Sequence, residues 1–145
     1  MKSPNELLKE LNYLGKQYER MNNKYREFVA EILEVKKIDD RFDAITLEVT
    51  SDSEFGIRFL DRELLVKFSF FVDHNDNIKG CITCFLVINI PAINYKPINS
   101  FDFDGQGNAD IPSSNTGGPY AINNRADAVN ILADWLRTSL SEGLM

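Results

Sequence analysis

A regular spacing of apolar residues along the first quarter of the chain constrains its fold more than any other feature. The intervals alternate between four and three residues, and the seam consists of Leu7, Leu11, Leu14, Tyr18, Met21, Tyr25, Phe28 and Ile32. These intervals follow the turn of an α-helix, and Ser3, Pro4 and Glu6 together form a helix start signal. The spacing predicts a helical segment over residues 1–37.

An unbroken helix of this length would exceed the body of the molecule. At 1.5 Å per residue it would be ~50 Å long, whereas a compact chain of this size is roughly 40 Å across. We therefore expect either a break at Asn22, since asparagine is a weak helix former, or a homodimer through Leu7, Leu11 and Leu14. A third interpretation is that the seam packs on the chain's own sheet, because Tyr and Phe are unusual at coiled-coil seams.

From Asp43 onward the apolar period changes to two, which is typical of β-strands. Four alternating segments occupy residues 43–90, namely Ile45–Val49, Phe55–Phe59, Leu64–Val72 and Ile78–Ile88. The connections are short, so we expect an antiparallel sheet of four strands or more. Its second face is mixed and too apolar to be left in water, so we expect the long loop, the last helix or a partner to cover it.

The rest of the pattern predicts one α+β domain over residues 1–145. Asn124 can cap a C-terminal helix over residues 124–142, and the apolar face of that helix would pack on the sheet. Residues 91–122 hold four of the five prolines and no clear period, which predicts a long irregular loop. The predicted shared core is Phe68, Phe70, Ile82, Leu86, Leu132 and Trp135.

The centre of this loop, Asp102–Asp110, has the outline of a calcium-binding loop. Acids occupy its first, third and ninth positions, and Gly107 stands at its sixth. However, the fifth position holds Gln106 and not Asp or Asn, and Ser113 occupies the twelfth position, where calcium-binding loops have a bidentate glutamate. The alternation of Phe101 to Asp104 favours a short hairpin instead, with its turn at residues 105–108.

Other candidate sites are weak. Cys81 and Cys84 form a C-x-x-C inside a strand, so they point to opposite faces of the sheet and are predicted to be two small buried residues. His74 is the only histidine and lies in a turn sequence. We therefore expect no enzymatic activity, no catalytic residue, no metal-ligand set and no cofactor.

The charge balance points to a class of partner. The chain has 16 basic and 22 acidic residues, a net charge of −6, which argues against direct nucleic-acid binding.

With no secretory or membrane-spanning segment in the sequence and two free thiols, we expect a cytoplasmic protein with no membrane association.

We expect a non-enzymatic acidic protein that binds and inhibits a basic protein partner, because an acidic surface steers basic partners. By analogy of size and charge, immunity proteins, antitoxins and phage-encoded inhibitors act in this way, and a nuclease toxin is one such partner. The predicted partner-binding residues are Asp102, Asp104, Asn108, Asp110 and Tyr120. The alternative is a ligand- or calcium-binding domain that uses residues 91–122 over the mixed sheet face.

Overall fold

The fold is α+β, as the sequence predicts. The structure is a computed structural model that describes residues 2–110 and 119–142. Helix α1 spans Pro4–Ile38, a 3₁₀ turn spans Asp40–Phe42, and helix α2 spans Arg125–Ser141. The strands are β1 Ile45–Ser51, β2 Glu54–Phe59, β3 Arg62–Val72, β4 Ile78–Ile88, β5 Asn94–Phe103, β6 Asn108–Asp110 and β7 Pro119–Ala121.

The seven strands form one sheet in chain order, and each strand is antiparallel to the next. The prediction of an irregular loop over residues 91–122 is therefore wrong where the structure describes it, because β5, β6 and β7 extend the sheet there. Strand β5 is hard to recognise in the sequence for a physical reason. Over most of its length β5 pairs only with β4, and an edge strand tolerates Pro97. A register shift between Cys84 and Phe85 further interrupts its alternation.

Both helices pack on the same face of the sheet and form one core with it. The Trp135 ring on α2 stacks on Phe101 of β5 at a centroid distance of 6.5 Å and meets Phe28 of α1 edge-on at 5.8 Å. Five of the six residues of the predicted core belong to this buried cluster, and the sixth, Phe70, is only partly buried and packs against it. The helices thus form one layer and the sheet forms the other.

Helix α1 is continuous, so the predicted break at Asn22 is wrong. Asn22 is 3% exposed, and its side-chain amide donates to the backbone oxygen of Asp52 at 3.0 Å. Because this tertiary partner takes the amide, the side chain does not compete for the helix's own backbone groups. The sequence interpretation that the seam packs on the chain's own sheet is confirmed for its second half, where burial begins at Met21.

The two cysteines lie on opposite faces of β4, as predicted. Cys84 is fully buried in the core, and this burial raises the pKa of its thiol. Cys81 lies on the outer face and is only partly buried, so the prediction of two buried cysteines is wrong for it, and its Sγ is 3.3 Å from the Ser100 hydroxyl. Both thiols are free.

Candidate functional site

Three strand connections that contain aspartates lie at one end of the sheet. Because successive strands are antiparallel, the β1–β2, β3–β4 and β5–β6 turns all fall at this end. We call it the acidic end and define it by its five aspartates, which are Asp52, Asp73, Asp76, Asp102 and Asp104. The structure therefore adds Asp52 and the β3–β4 turn to the acidic segment singled out in the sequence.

The β3–β4 and β5–β6 turns have the same construction. In the first, Oδ1 of Asp73 accepts from the amides of Asn75 and Asn77, both at 2.9 Å. The fourth residue of this turn, Asp76, has a φ of 61°. This left-handed conformation is one that aspartate tolerates better than most residues.

In the second turn, Oδ1 of Asp104 accepts from the amides of Gln106 and Asn108 at 2.9 and 3.0 Å. Its fourth residue is Gly107, with a φ of 86°. In both turns the carboxylate thus stabilises the backbone through one oxygen. The amide of Asn77 donates to the Asp73 carboxylate, and this hydrogen bond is the main cause of the lowered pKa of Asp73.

Helix α1 crosses the acidic end and is tied to two of its turns. Nε of Arg20 donates to the backbone oxygen of Gly105 at 3.1 Å, so this turn lies directly against the helix. A guanidinium nitrogen of Arg26 lies 3.1 Å from a carboxylate oxygen of Asp52. These contacts position the turns relative to the core, and the exposed Arg26–Asp52 pair adds little stability by itself.

A shallow groove of about 770 Å³ lies beside the β5–β6 turn. Asp102 and Asn108, both exposed, line it together with Lys79, Ser100 and Pro119. The groove therefore offers carboxylate, amide and hydroxyl acceptors next to one lysine. Such a surface can bind a basic side chain through charge-assisted hydrogen bonds.

The five predicted partner-binding residues have different positions. Asp102 and Asn108 share the groove, while Asp104 is half-buried in its own turn. Tyr120 is only 8% exposed and belongs to the core, so it offers little surface to a partner. The backbone of Asp110 lies in β6, and its side chain lies outside the described residues.

The hairpin interpretation of Asp102–Asp110 is confirmed, since β5 and β6 pair through Phe103 and Ala109. Oδ1 of Asp104 is occupied by two amides, and Ser113 lies outside the described residues. In residues 2–110 and 119–142 no three His, Cys, Asp or Glu side chains are grouped in a way that could hold a metal ion.

Sequence reasoning missed the contribution of Asp73 and Asp76 to the acidic end. A signal for it was present, because residues 73–77 and 104–108 share an Asp-x-x-x-Asn pattern. This shared pattern identifies two turns of one type. Only the order of the strands shows that the two turns lie at the same end of the sheet.

Comparisons with protein-family models, with curated proteins and with solved structures return no match for this chain. Within the two described ranges, no helix is both long enough and apolar enough to cross a bilayer.

Proposed function

We propose that this is a non-enzymatic binding protein of the cytoplasm that associates with a basic protein partner through its acidic end and inhibits it. One observation carries the proposal: Asp102 and Asn108 line an open groove beside an acidic turn, at the end of the sheet where two further acidic turns lie. A groove lined by exposed acceptors suits arginine and lysine side chains, whose donors pair well with carboxylates.

The charge of the whole chain supports a basic partner. A net charge of −6 attracts cationic proteins over distances of about 10 Å at 0.1 M salt, and it repels acidic ones. Lys79 is the basic group at the groove, and it reduces the local negative potential. Its replacement by glutamine should therefore speed association, whereas loss of Asp102 should slow it.

The first experiment uses three immobilised baits exposed to extract from the source cells. The baits are the parent, a site variant with Asp102→Asn, Asp104→Asn and Asp110→Asn, and a control variant. Asparagine at position 104 keeps an oxygen that can accept from the two turn amides, so the turn should persist. The control variant carries Asp40→Asn, Asp43→Asn and Glu48→Gln, which remove the same charge from exposed positions outside the acidic end.

The proposal expects a basic protein that the parent and the control bait retain and the site variant loses. With that protein purified, the site variant should associate more slowly and show a flatter dependence of the rate on salt. The activity of the recovered protein should fall when the parent is added in stoichiometric amounts. Equal retention on all three baits, or no basic protein on the parent, would contradict the proposal.

The alternative of a ligand- or calcium-binding domain is tested by the same variants. This alternative places residues 91–122 over the mixed sheet face, whereas residues 94–103 pair with β4 and extend the sheet. If calcium binds elsewhere in the segment, millimolar calcium should raise the melting temperature of the parent, and the site variant should lose that rise. An unchanged melting temperature in both proteins would exclude calcium.

A further inference from the structure

We propose that the free edge of strand β1 binds an extended basic segment of another protein, which adds to the sheet as a further strand. The free edge is the side of β1 that faces away from β2. It runs along the side of the sheet and not across its acidic end, and the inference does not depend on the proposed function.

The pairing of the strands determines which backbone groups lie at the free edge. Strand β1 is the first strand of the sheet, so β2 is its one neighbour. The amide of Phe68 donates to the backbone oxygen of Ser53 at 2.8 Å, and this bond fixes the alternation of the ladders on both sides of β2. By that alternation Glu48 bonds to β2, while Leu47 and Val49 direct their N–H and C=O groups to the free edge.

These outward groups are available to another strand. In residues 2–110 and 119–142, no hydrogen bond from another element is found to the backbone of Leu47 or Val49. Leu47 is partly buried and Val49 is 51% exposed. An extended segment can pair with such a row of backbone groups and take its affinity from the new main-chain hydrogen bonds.

Two other open edges of the sheet carry residues that discourage such pairing. Strand β5, which has one neighbour over most of its length, contains Lys96 and Pro97, and the short strand β7 begins with Pro119. Lysine, proline and short length are common protections of exposed edges. Residues 45–49 contain no lysine or proline, and their ladder to β2 is regular up to the register shift that follows Val49.

The charge around the free edge selects a basic occupant. Residues 40–54 contain five acidic side chains and one basic one, which is a net charge of −4 out of the chain's −6. Within the described ranges, the ion pairs involve none of the acids Asp40, Asp43 and Glu48. A basic segment offers partners to these charges, whereas the edge of a second copy would bring like charges together.

The two faces of β1 specify the pattern of the segment. Glu48 is exposed on the outer face, while Leu47 packs against the core on the other face and Val49 follows it there. Side chains of an added strand lie beside those of β1 on each face. We therefore expect a segment in which basic and apolar residues alternate, with the basic side chains beside Glu48.

The first test selects ligands for the full chain from a phage library of random peptides of about 12 residues, which is long enough to span β1. The selected peptides should alternate basic and apolar residues. Val49→Pro should bind a synthesised selected peptide at least about tenfold more weakly, because proline removes the outward N–H and its ring blocks the added strand. The fold should persist, since an edge position tolerates proline. Val49→Thr keeps the N–H and should bind like the parent.

The second test measures amide hydrogen exchange in the parent alone, so it does not depend on the folding of a variant. In the free protein the amides of Leu47 and Val49 should exchange faster than that of Glu48. Saturation with the selected peptide should slow the two fast amides at least about tenfold.

Two charge variants separate this surface from the acidic end. The variant with Asp102→Asn, Asp104→Asn and Asp110→Asn should bind the selected peptide within about threefold of the parent. The variant with Asp40→Asn, Asp43→Asn and Glu48→Gln should bind it at least about fivefold more weakly, because it removes the unpaired charges around the free edge.

Four results would overturn the inference. The first is an equal affinity of Val49→Pro and the parent for the selected peptide. The second is unchanged exchange at Leu47 and Val49 when that peptide is bound. The third is a set of selected peptides without an excess of basic residues. The fourth is a loss of the peptide in the acidic-end variant, because the peptide would then bind at that end.

Discussion

Replacement of Tyr25 by phenylalanine should make the protein more stable, although it removes a polar group from the core. Tyr25 is 2% exposed, and its ring stacks on Phe68 at 5.4 Å and tilts against Phe55 at 6.4 Å. Within residues 2–110 and 119–142 its hydroxyl is the one buried side-chain polar atom for which no hydrogen-bond partner is found. Phenylalanine keeps both ring contacts and removes only this hydroxyl.

The size of the effect follows from the cost of an unpaired buried hydroxyl, which is about 1–3 kcal/mol. We take the lower end and expect Tyr25→Phe to raise the free energy of unfolding by about 1 kcal/mol. In a domain of this length that change corresponds to a rise in melting temperature of roughly 3 °C. The measurement is urea unfolding of the parent and the variant, with equal slopes of free energy against urea as the check for comparability.

Tyr13→Phe is the matched control, because Tyr13 is 54% exposed and its hydroxyl is not buried. It should leave the free energy of unfolding within about 0.5 kcal/mol of the parent. A loss of stability in Tyr25→Phe would refute the reasoning, because it would mean that the hydroxyl makes a favourable bond in the folded protein.

The same variant should change the response to alkaline pH. Burial, with a smaller contribution from Glu54, raises the pKa of Tyr25 well above its ordinary value of 10.0. The folded state therefore holds the phenol proton more tightly than the unfolded state does, and stability is lost as pH rises above 10. The advantage of Tyr25→Phe should grow by up to about 1.4 kcal/mol per pH unit there. A constant difference between pH 9 and 11 would contradict the raised pKa.

Three further predictions concern the sheet, each measured by chemical denaturation. Gly80→Ala should lower the free energy of unfolding by about 3 kcal/mol, because the new Cβ would lie 2.3 Å from the buried ring of Phe103. An unchanged free energy of unfolding would mean that this ring moves freely. Leu86→Ala should cost about 2–5 kcal/mol at a fully buried position of β4, while Leu60→Ala at an exposed position should cost less than about 0.5 kcal/mol. Asp104→Ala should lower the free energy of unfolding by about 1–2 kcal/mol, because it removes the two hydrogen bonds from the turn amides. Asp104→Asn should largely retain these two bonds. Equal stabilities of the alanine variant and the parent would show that the carboxylate does not stabilise the turn.

Sequence reasoning was successful wherever the signal lies within one element. The Ser3 side chain accepts from the amide of Glu6, and that of Asn124 accepts from the amide of Asp127, as the cap sequences predict. The four strands of residues 43–90 and the hairpin at 73–77 also appear as expected. Helix period, strand alternation and capping are local properties, so the residues that produce them are neighbours in the chain.

The remaining features depend on partners that are distant in the chain. Strand β5 forms because β4 offers it an edge, although Pro97 and a register shift hide its alternation. Helix α1 continues through Asn22 because the backbone oxygen of Asp52, thirty residues away, accepts from its side chain. The sequence by itself thus determined which segments are helices and hairpins and where acidic residues concentrate. The tertiary structure alone decided which acidic turns share one end of the sheet and which half of the seam is buried, because both depend on long-range strand pairing and packing that no local pattern encodes.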